Sequence, residues 1–255
     1  MELNIAYFYP EQLNLYGDTG NVDILAYRAK KRGIIANILK VGLETRLDSS
    51  IMSHVHIVFM GGGPDSGQKL VYKDILEKKQ SFLKEHVESN KVGLFVCGAY
   101  QLLGKYYKSA DGTVLEGLGI YNLYTEHFGN HKPRCIGNTL ATIDSSFQDD
   151  PLFRLVNHVG DDVVGFENHG GRTYLFEGVT PFAHIKTGYG NNAEDGTEGV
   201  HYKNTIGTYF HGPLLAANPH IADYLIAKAL NLFDIKELDD SFTLAAHTAH
   251  KKLKQ

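Results

Sequence analysis

The sequence predicts an α/β fold: a mostly parallel sheet wound on both faces by helices, with an antiparallel extension. Three observations carry this reading. Apolar strand-like runs alternate with helical patterns from the N-terminus to about Tyr107. The apolar run Val55–Met60 passes straight into the glycine loop Gly61-Gly62-Gly63-Pro64-Asp65 and then into a helix. Finally, Val92 to Gly104, VGLFVCGAYQLLG, reads as a buried strand that bends at Cys97 into a helix, the arrangement of a nucleophile elbow.

Leu3 to Phe8 alternates Leu3, Ile5 and Tyr7 and predicts the first strand. A polar loop runs from Tyr9 to Asp18. Asp18 or Thr19 then caps a helix over about 21–32, striped by Val22, Leu25, Ala26 and Ala29, with Lys30, Lys31 and Arg32 in its last turn and Gly33 ending it. Ile34–Val41 and Val55–Met60 follow as strands. A helix is expected over about 67–90 and the elbow strand over Val92–Val96. Beyond Tyr107, short β-like runs replace long helices: Arg134–Thr142, Val163–Phe166, Arg172–Phe176, Ala183–Thr187 and Thr205–Phe210. They are expected to extend the sheet in antiparallel fashion. Asp144–Asp162 reads as an inserted surface loop. Asn218-Pro219 starts a helix, a capping Asn with Pro at the first helical position. No linker divides the chain, so one domain is expected over 1–235. The tail 236–255, with its basic KKLKQ end, is expected to be a loosely held helix or a frayed end.

At 255 residues, 43% hydrophobic and 21% charged, the chain has enough apolar material for a sizeable core. A net charge of −4 supplies no basic field for a phosphate backbone, which argues against nucleic acid as a partner. No apolar run approaches the ~20 residues needed to span a bilayer. The early Glu2 and the missing basic n-region do not suit a signal peptide. Two cysteines, Cys97 and Cys135, make no disulfide framework, so a reducing cytoplasm is the expected compartment.

A Cys after a strand is by default a small hydrophobe. Cys97 is set apart by Gly98 after it and by a helix start, where free N–H groups favour a thiolate. The Gly98 N–H then stands ready for a developing oxyanion. Cys135, in PRCIGN, has no such setting and reads as structural. A thiolate nucleophile needs a base or cation beside it. Among thirteen histidines, His211 stands out, because Gly207–Phe210 reads as a strand and His211-Gly212-Pro213 as the bend at its end. In a parallel sheet such strand ends build the site. His169, after another short strand, is the rival. The glycine loop lacks the Lys-Ser/Thr of a P-loop. It either makes a tight turn or supplies the second oxyanion N–H, from Gly62 or Gly63, opposite Gly98.

Several motifs in this order resemble class I glutamine amidotransferases of the cobyric-acid-synthase type. They are Gly61-Gly62-Gly63-Pro64-Asp65, Cys97-Gly98-Ala99-Tyr100-Gln101, Glu116-Gly117-Leu118-Gly119, Asn168-His169-Gly170-Gly171 and Gly207-Thr208-Tyr209-Phe210-His211-Gly212. A narrower likeness, to the glutaminase subunits of lipid II isoglutaminyl synthases, rests on three stretches: Leu13 to Asn21, Gly165 to Tyr174, and Gly188-Tyr189-Gly190-Asn191-Asn192. Together these span most of residues 1–230.

The resemblance implies a flavodoxin-like sheet and a glutaminase. Cys97 would attack the side-chain amide of L-glutamine and form a γ-glutamyl thioester, and His211 would pass a proton to the leaving nitrogen. It further implies that Arg134 grips the carboxylate of glutamine, with Asn168, His169 and Gly170 in the substrate-binding set. No metal or other cofactor is implied in this chain. ATP and Mg would belong to a MurT-like Mur-ligase subunit that takes the ammonia and amidates the stem peptide of lipid II. Work on lipid II would place the complex at the inner face of the membrane, without insertion. The chain departs from many class I enzymes by carrying Phe95 and Ala99 on either side of Cys97, and Pro213 where a Glu usually follows the His. The group that orients His211 is therefore left open between Asp18, Glu167 and a carboxylate of the partner. Two other functions stand against this one: a stand-alone Cys-dependent γ-glutamyl or amide hydrolase, and a non-catalytic scaffold subunit.

Overall fold

The computed structural model describes residues 1–63 and 65–253, with the backbone alone at Asp65, Ser66 and Lys69. Pro64 of the glycine loop and the last two residues of the basic KKLKQ end lie outside the described residues. The first half alternates as expected: β1 (Glu2–Phe8), α1 (Thr19–Lys31), β2 (Ile35–Val41), α2 (Ser49–Ser53), β3 (Ile57–Met60), α3 (Asp65–Asp74), α4 (Gln80–Glu88), β4 (Val92–Val96) and α5 (Gly98–Leu102). The helix expected over 67–90 is α3 and α4 joined by a π-helical turn, Ile75–Lys79. The turn carries Lys79 inward, where its ammonium meets the Asp74 carboxylate that also accepts from Tyr9 Oη.

The second half holds β5 (Tyr106–Lys108), β6 (Val114–Glu116), β7 (Leu123–His127), β8 (Cys135–Ile143), α6 (Ser145–Gln148), α7 (Pro151–Val156), β9 (Asp162–His169) and β10 (Gly171–Leu175). It continues through β11 (Ala183–Thr187), β12 (Thr197–Glu198), β13 (Val200–Tyr202), β14 (Thr205–Thr208), α8 (Leu214–Ala217), α9 (Pro219–Leu230) and α10 (Ser241–His250).

The central sheet runs β13-β14-β4-β3-β1-β2. Its five parallel strands, numbered among themselves, stand in the order 2-1-3-4-5 of a flavodoxin-like sheet. β3 and β4 are buried at every position, as strands covered on both faces must be, whereas β2 lies at an edge with Ile35 and Ile38 exposed. The register aligns Phe8 with Met60, Met60 with Phe95, and Thr208 with Val96. The loops after β1, β3, β4 and β14 therefore leave the sheet at one level, and that edge carries the site.

The later β-runs divide differently from the expectation of one extended sheet. Thr205–Thr208 enters the central sheet parallel to β4, and the three-residue β13 is the antiparallel extension. β8 pairs with β9 over eight positions and builds a separate sheet, β12-β11-β8-β9. β10-β7-β5-β6 forms a third.

Asp144–Asp162 is no open loop. Asp144 and Asp150 cap α6 and α7 through their carboxylates, Pro151 opens α7, and Phe147, Leu152, Phe153 and Val156 are buried. Phe147 packs on Phe153, Phe182 and Tyr224 at ring distances of 4.6–5.6 Å. Pro219 opens α9 as expected, yet the Asn218 side chain does not cap it. Its Oδ1 accepts from Val164 N at 3.0 Å and its Nδ2 donates to the carbonyls of Val164 and Leu214, so it fastens the α8–α9 corner to β9.

The segment after Lys236 holds α10, and it is anchored rather than frayed. The Asp240 carboxylate receives Arg28, which also forks onto Asp223, and His247 is buried with Nδ1 donating to Ala217 O.

Candidate active site

The elbow is visible in the backbone. Cys97 sits at φ 51° and ψ −108°, a region that side chains avoid and that is held only where the surroundings over-determine it. Its N–H donates to Thr208 O at 2.8 Å, which pins the bend to the neighbouring strand. Gly98 begins α5, where an N–H has no intrahelical acceptor. That helix is five residues long, so what it offers Cys97 is first-turn N–H groups rather than a long macrodipole. Phe95 folds its ring back over Gly93. A Cβ there would come within 2.6 Å of it, so glycine at 93 makes the room.

His211 leaves the end of β14 and reaches the same point. Its N–H donates to Phe166 O at 2.8 Å and its carbonyl accepts from Phe166 N at 3.2 Å, an isolated bridge to β9. A Cβ placed on Gly62 would lie 2.8 Å from Cys97 Cβ, 3.1 Å from His211 Cε1 and 3.4 Å from Cys97 Sγ. The thiol, the imidazole and the glycine loop thus converge on one spot.

The partner of His211 is Asp18. Nδ1 lies 3.0 Å from Asp18 Oδ1, and because a carboxylate only accepts, Nδ1 carries the proton. Both side chains are shut off from solvent. Burial opposes a charged imidazole, but the hydrogen bond to Asp18 and the negative charges of Asp18 and Cys97 beside the ring outweigh it and raise the His211 pKa to about 10. The ring of Tyr16 closes over His211 edge-on at 4.8 Å. Asp18 is not the helix cap that its position suggests, since its side chain makes no capping bond to α1. Its second oxygen, Oδ2, accepts from Gly62 N at 2.8 Å. This corrects the expectation for Gly62: its N–H is taken by Asp18, so Gly63 and Gly98 remain as backbone donors. Pro213 packs against Gly20, where a Cβ would meet its ring at 2.5 Å, and so seals the start of α1 next to Asp18.

Glu167 belongs to a second pair. Its Oε1 accepts from Thr139 Oγ1 and Tyr189 N, its Oε2 accepts from Gly190 N, and His169 Nε2 stands 3.5 Å away. His169 Nδ1 donates to Gly171 O at 2.7 Å, and the ring lies flat on Tyr209 at 3.7 Å. Glu167 and His169 therefore build the wall, while Asp18 and His211 meet at Cys97. Glu198 was not foreseen. Burial, with Glu167 nearby, pushes its carboxyl up to about 8, and its Oε1 receives Thr208 Oγ1 and Tyr209 N just ahead of His211.

Cys97 and His169 border a hollow of about 460 Å³ that is also lined by Gly63, Gln68, Gln101, Arg134, Asn168 and Gly170, among others. Arg134 stands exposed on its wall, with Nη2 donating to Asn168 Oδ1 at 2.8 Å and to Asn168 O at 3.2 Å. A second hollow of about 520 Å³ along 26–36, lined by Ala26, Tyr27, Lys30, Gly33, Ile34, Ile35 and Ala36, holds no Cys or His, so chemistry rather than size selects the site. Cys135 is buried in β8 as a free thiol, opposite His169 in the register. Among the described residues no cluster of His, Cys, Asp and Glu is arranged to hold a metal ion.

The sequence model of the CobB/CobQ-like glutamine amidotransferase domain matches residues 4–219. The chain is 43% identical over 249 residues to subunit GatD of the glutamine-hydrolysing lipid II isoglutaminyl synthase of Staphylococcus aureus, covering 96% of this chain and 93% of that one. It is 39% identical over 230 residues to the same-named subunit of Streptococcus pneumoniae, covering 90% and 81%. Its fold is similar to that of a chain in the PurLQS structure from Thermotoga maritima, with a TM-score of 0.61 at 16% identity over 92% of this chain and all of that one.

Proposed function

The chain belongs to the CobB/CobQ-like glutamine amidotransferases, and on that premise we propose that it is the glutaminase subunit of a lipid II isoglutaminyl synthase. The observation that carries the chemistry is the buried Asp18–His211 pair meeting Cys97 at the strained bend after β4.

In this reading the Cys97 thiolate attacks the side-chain amide carbon of L-glutamine. The developing oxyanion is met by the N–H groups of Gly63 and Gly98. His211, an imidazolium at neutral pH, passes its Nε2 proton to the amide nitrogen. The C–N bond breaks, ammonia leaves and a γ-glutamyl thioester remains. Water then gives a proton to the neutral His211 and attacks the thioester. The C–S bond breaks, the new γ-carboxyl group gives its remaining proton to solvent as glutamate leaves, and the thiolate–imidazolium pair is restored. Asp18 holds the Nδ1–H throughout and fixes the ring. Arg134 takes the α-carboxylate of glutamine as a bidentate fork, and Asn168, His169 and Gly170 shape the wall beside it.

The ammonia serves a MurT-like Mur-ligase subunit, which uses ATP and Mg²⁺ to amidate the α-carboxyl of D-isoglutamate in the stem peptide of lipid II. The chain itself needs no cofactor for this chemistry. Among the described residues no helix is long and apolar enough to cross a membrane. We place the complex in the cytoplasm, meeting lipid II at the membrane's inner face.

The test is glutamate release from glutamine by the wild type and by Cys97→Ser, each with the ligase subunit and its stem-peptide acceptor present. Loss of roughly 10³-fold or more in the variant is expected for a sole nucleophile. Undiminished release by Cys97→Ser sinks the proposal. Strong turnover by the chain alone, with no amidation when the ligase subunit is added, favours a stand-alone hydrolase instead.

A further inference from the structure

The two backbone donors of the proposed oxyanion site come from different segments, and one side chain touches both. Gly63 follows β3 and Gly98 follows β4. Gln68, on α3 and 5% exposed, donates from Nε2 to Gly63 O at 2.9 Å. The same amide covers Gly98: a Cβ there would lie 2.6 Å from Gln68 Nε2 and 2.8 Å from its Cδ.

In the glycine loop Gly62 is tied at both of its backbone polar atoms. Gly62 N donates to Asp18 Oδ2 and Gly62 O accepts from Leu15 N at 2.9 Å. In a trans peptide the N–H points opposite to the C=O, so the Gly63 N–H is directed away from Leu15. Among the described residues nothing accepts from it. The loop has little lateral slack, since a Cβ on Gly63 would meet Gln12 O at 2.6 Å and Leu13 Cδ2 at 2.7 Å. Among the described residues the Gly63 carbonyl is held by Gln68. The base of Gln68 is rigid, because Val71 and Ile75, one and two turns on, are buried in the core.

We infer that Gln68 is a positioning residue that sets the spacing of the Gly63 and Gly98 N–H donors, by holding the Gly63 carbonyl with its side-chain amide while packing on Gly98. This rests on the glutaminase reading of the site. Gln68 acts through backbone groups, so its contribution grows as negative charge develops on the amide oxygen and is small in the bound ground state.

The variants are Gln68→Met, which keeps the length and packing but not the donor, and Gln68→Glu, whose carboxylate has no N–H to give. Each is assayed as full-length chain with the ligase subunit. In both, kcat for glutamate release falls by roughly 10–10²-fold, less than the ~10²–10³ lost when an oxyanion donor is deleted outright. KM stays within about twofold of wild type, because ground-state binding is untouched. Affinity for L-glutamate γ-semialdehyde, which forms a tetrahedral thiohemiacetal on Cys97, falls in step with kcat. Alkylation of Cys97 by iodoacetamide, a displacement that develops no oxyanion at the site, keeps its rate. A purely structural role would lower alkylation and thermal stability together with kcat, and that result overturns the inference. Wild-type kcat and semialdehyde affinity in Gln68→Met, beside an inactive Cys97→Ser, overturn the inference alone. A wild type no faster than Cys97→Ser overturns the glutaminase reading with it.

Discussion

Asp18 and His211 stand 193 positions apart in the chain and meet through a 3.0 Å hydrogen bond between Oδ1 and Nδ1, both side chains fully buried. The position two residues after His211 is occupied by Pro213, so the orienting carboxylate comes from the loop after β1, not from the histidine's own loop.

Asp18→Asn removes the charge that favours the imidazolium. Its amide also places an N–H₂ against either the His211 N–H or the Gly62 N–H, a donor facing a donor. Turnover falls by roughly 10²–10⁴-fold, the range in which a triad carboxylate acts. In wild type the alkaline limb of the pH–rate profile lies near 10, where His211 loses its proton. In Asp18→Asn the limb moves to lower pH. Stability has the same sign: a raised histidine pKa contributes fully below about 6.5, and that contribution is lost as pH rises through about 10. Melting temperature against pH in the two proteins reads this directly, and an unmoved limb contradicts it.

Gly62→Ala puts a methyl 2.8 Å from Cys97 Cβ, an atom fixed by the backbone and unable to swing aside. Because the loop is wedged, the displacement passes to Cys97 and His211. Glutamate release drops at least about tenfold, in keeping with the sensitivity of near-attack geometry. Circular dichroism stays that of the wild type.

Arg134→Met leaves the apolar stem and removes the fork. KM for glutamine rises by roughly 10–100-fold, the equivalent of about 1.5–3 kcal/mol for hydrogen bonds to a charged group, and kcat changes far less. Steady-state kinetics over a wide glutamine range separates the two. A fall in kcat at constant KM removes Arg134 from carboxylate binding.

Asn218→Ala strips three buried hydrogen bonds and leaves the Val164 N–H and C=O without that partner. The cost is about 2–4 kcal/mol, measured by urea unfolding. Asn218→Gly costs at least as much, which separates lost side-chain bonds from any loss of helix capping.

The parallel half of the fold was legible because its signals are local. β3 and β4 are unbroken apolar runs, and the bend at Cys97 follows directly in sequence. His211 was legible by the same logic of strand ends. Asp18 could not be assigned from sequence: a carboxylate before a helix reads as a cap, and only the tertiary fold shows it turned toward β14 and the glycine loop. Gln68 sits on a helix with nothing to distinguish it from a surface amide until its contact with Gly63 is seen. α6 and α7 were missed although Asp144, Asp150 and Pro151 are ordinary helix starts, because elements of four and six residues fall below the length at which periodicity speaks. The division into three sheets depends on which strands pair, a choice made by long-range register that alternating patterns leave open.

The left-handed bend at position 97 sets chemistry against stability. A backbone at φ 51° and ψ −108° suits glycine, and a side chain there costs on the order of 1–3 kcal/mol. Selection for a stable fold alone would place glycine at 97. The thiol there marks a position where the chain keeps the residue its backbone disfavours, so Cys97→Gly is expected to be a dead enzyme that unfolds no more readily than the living one.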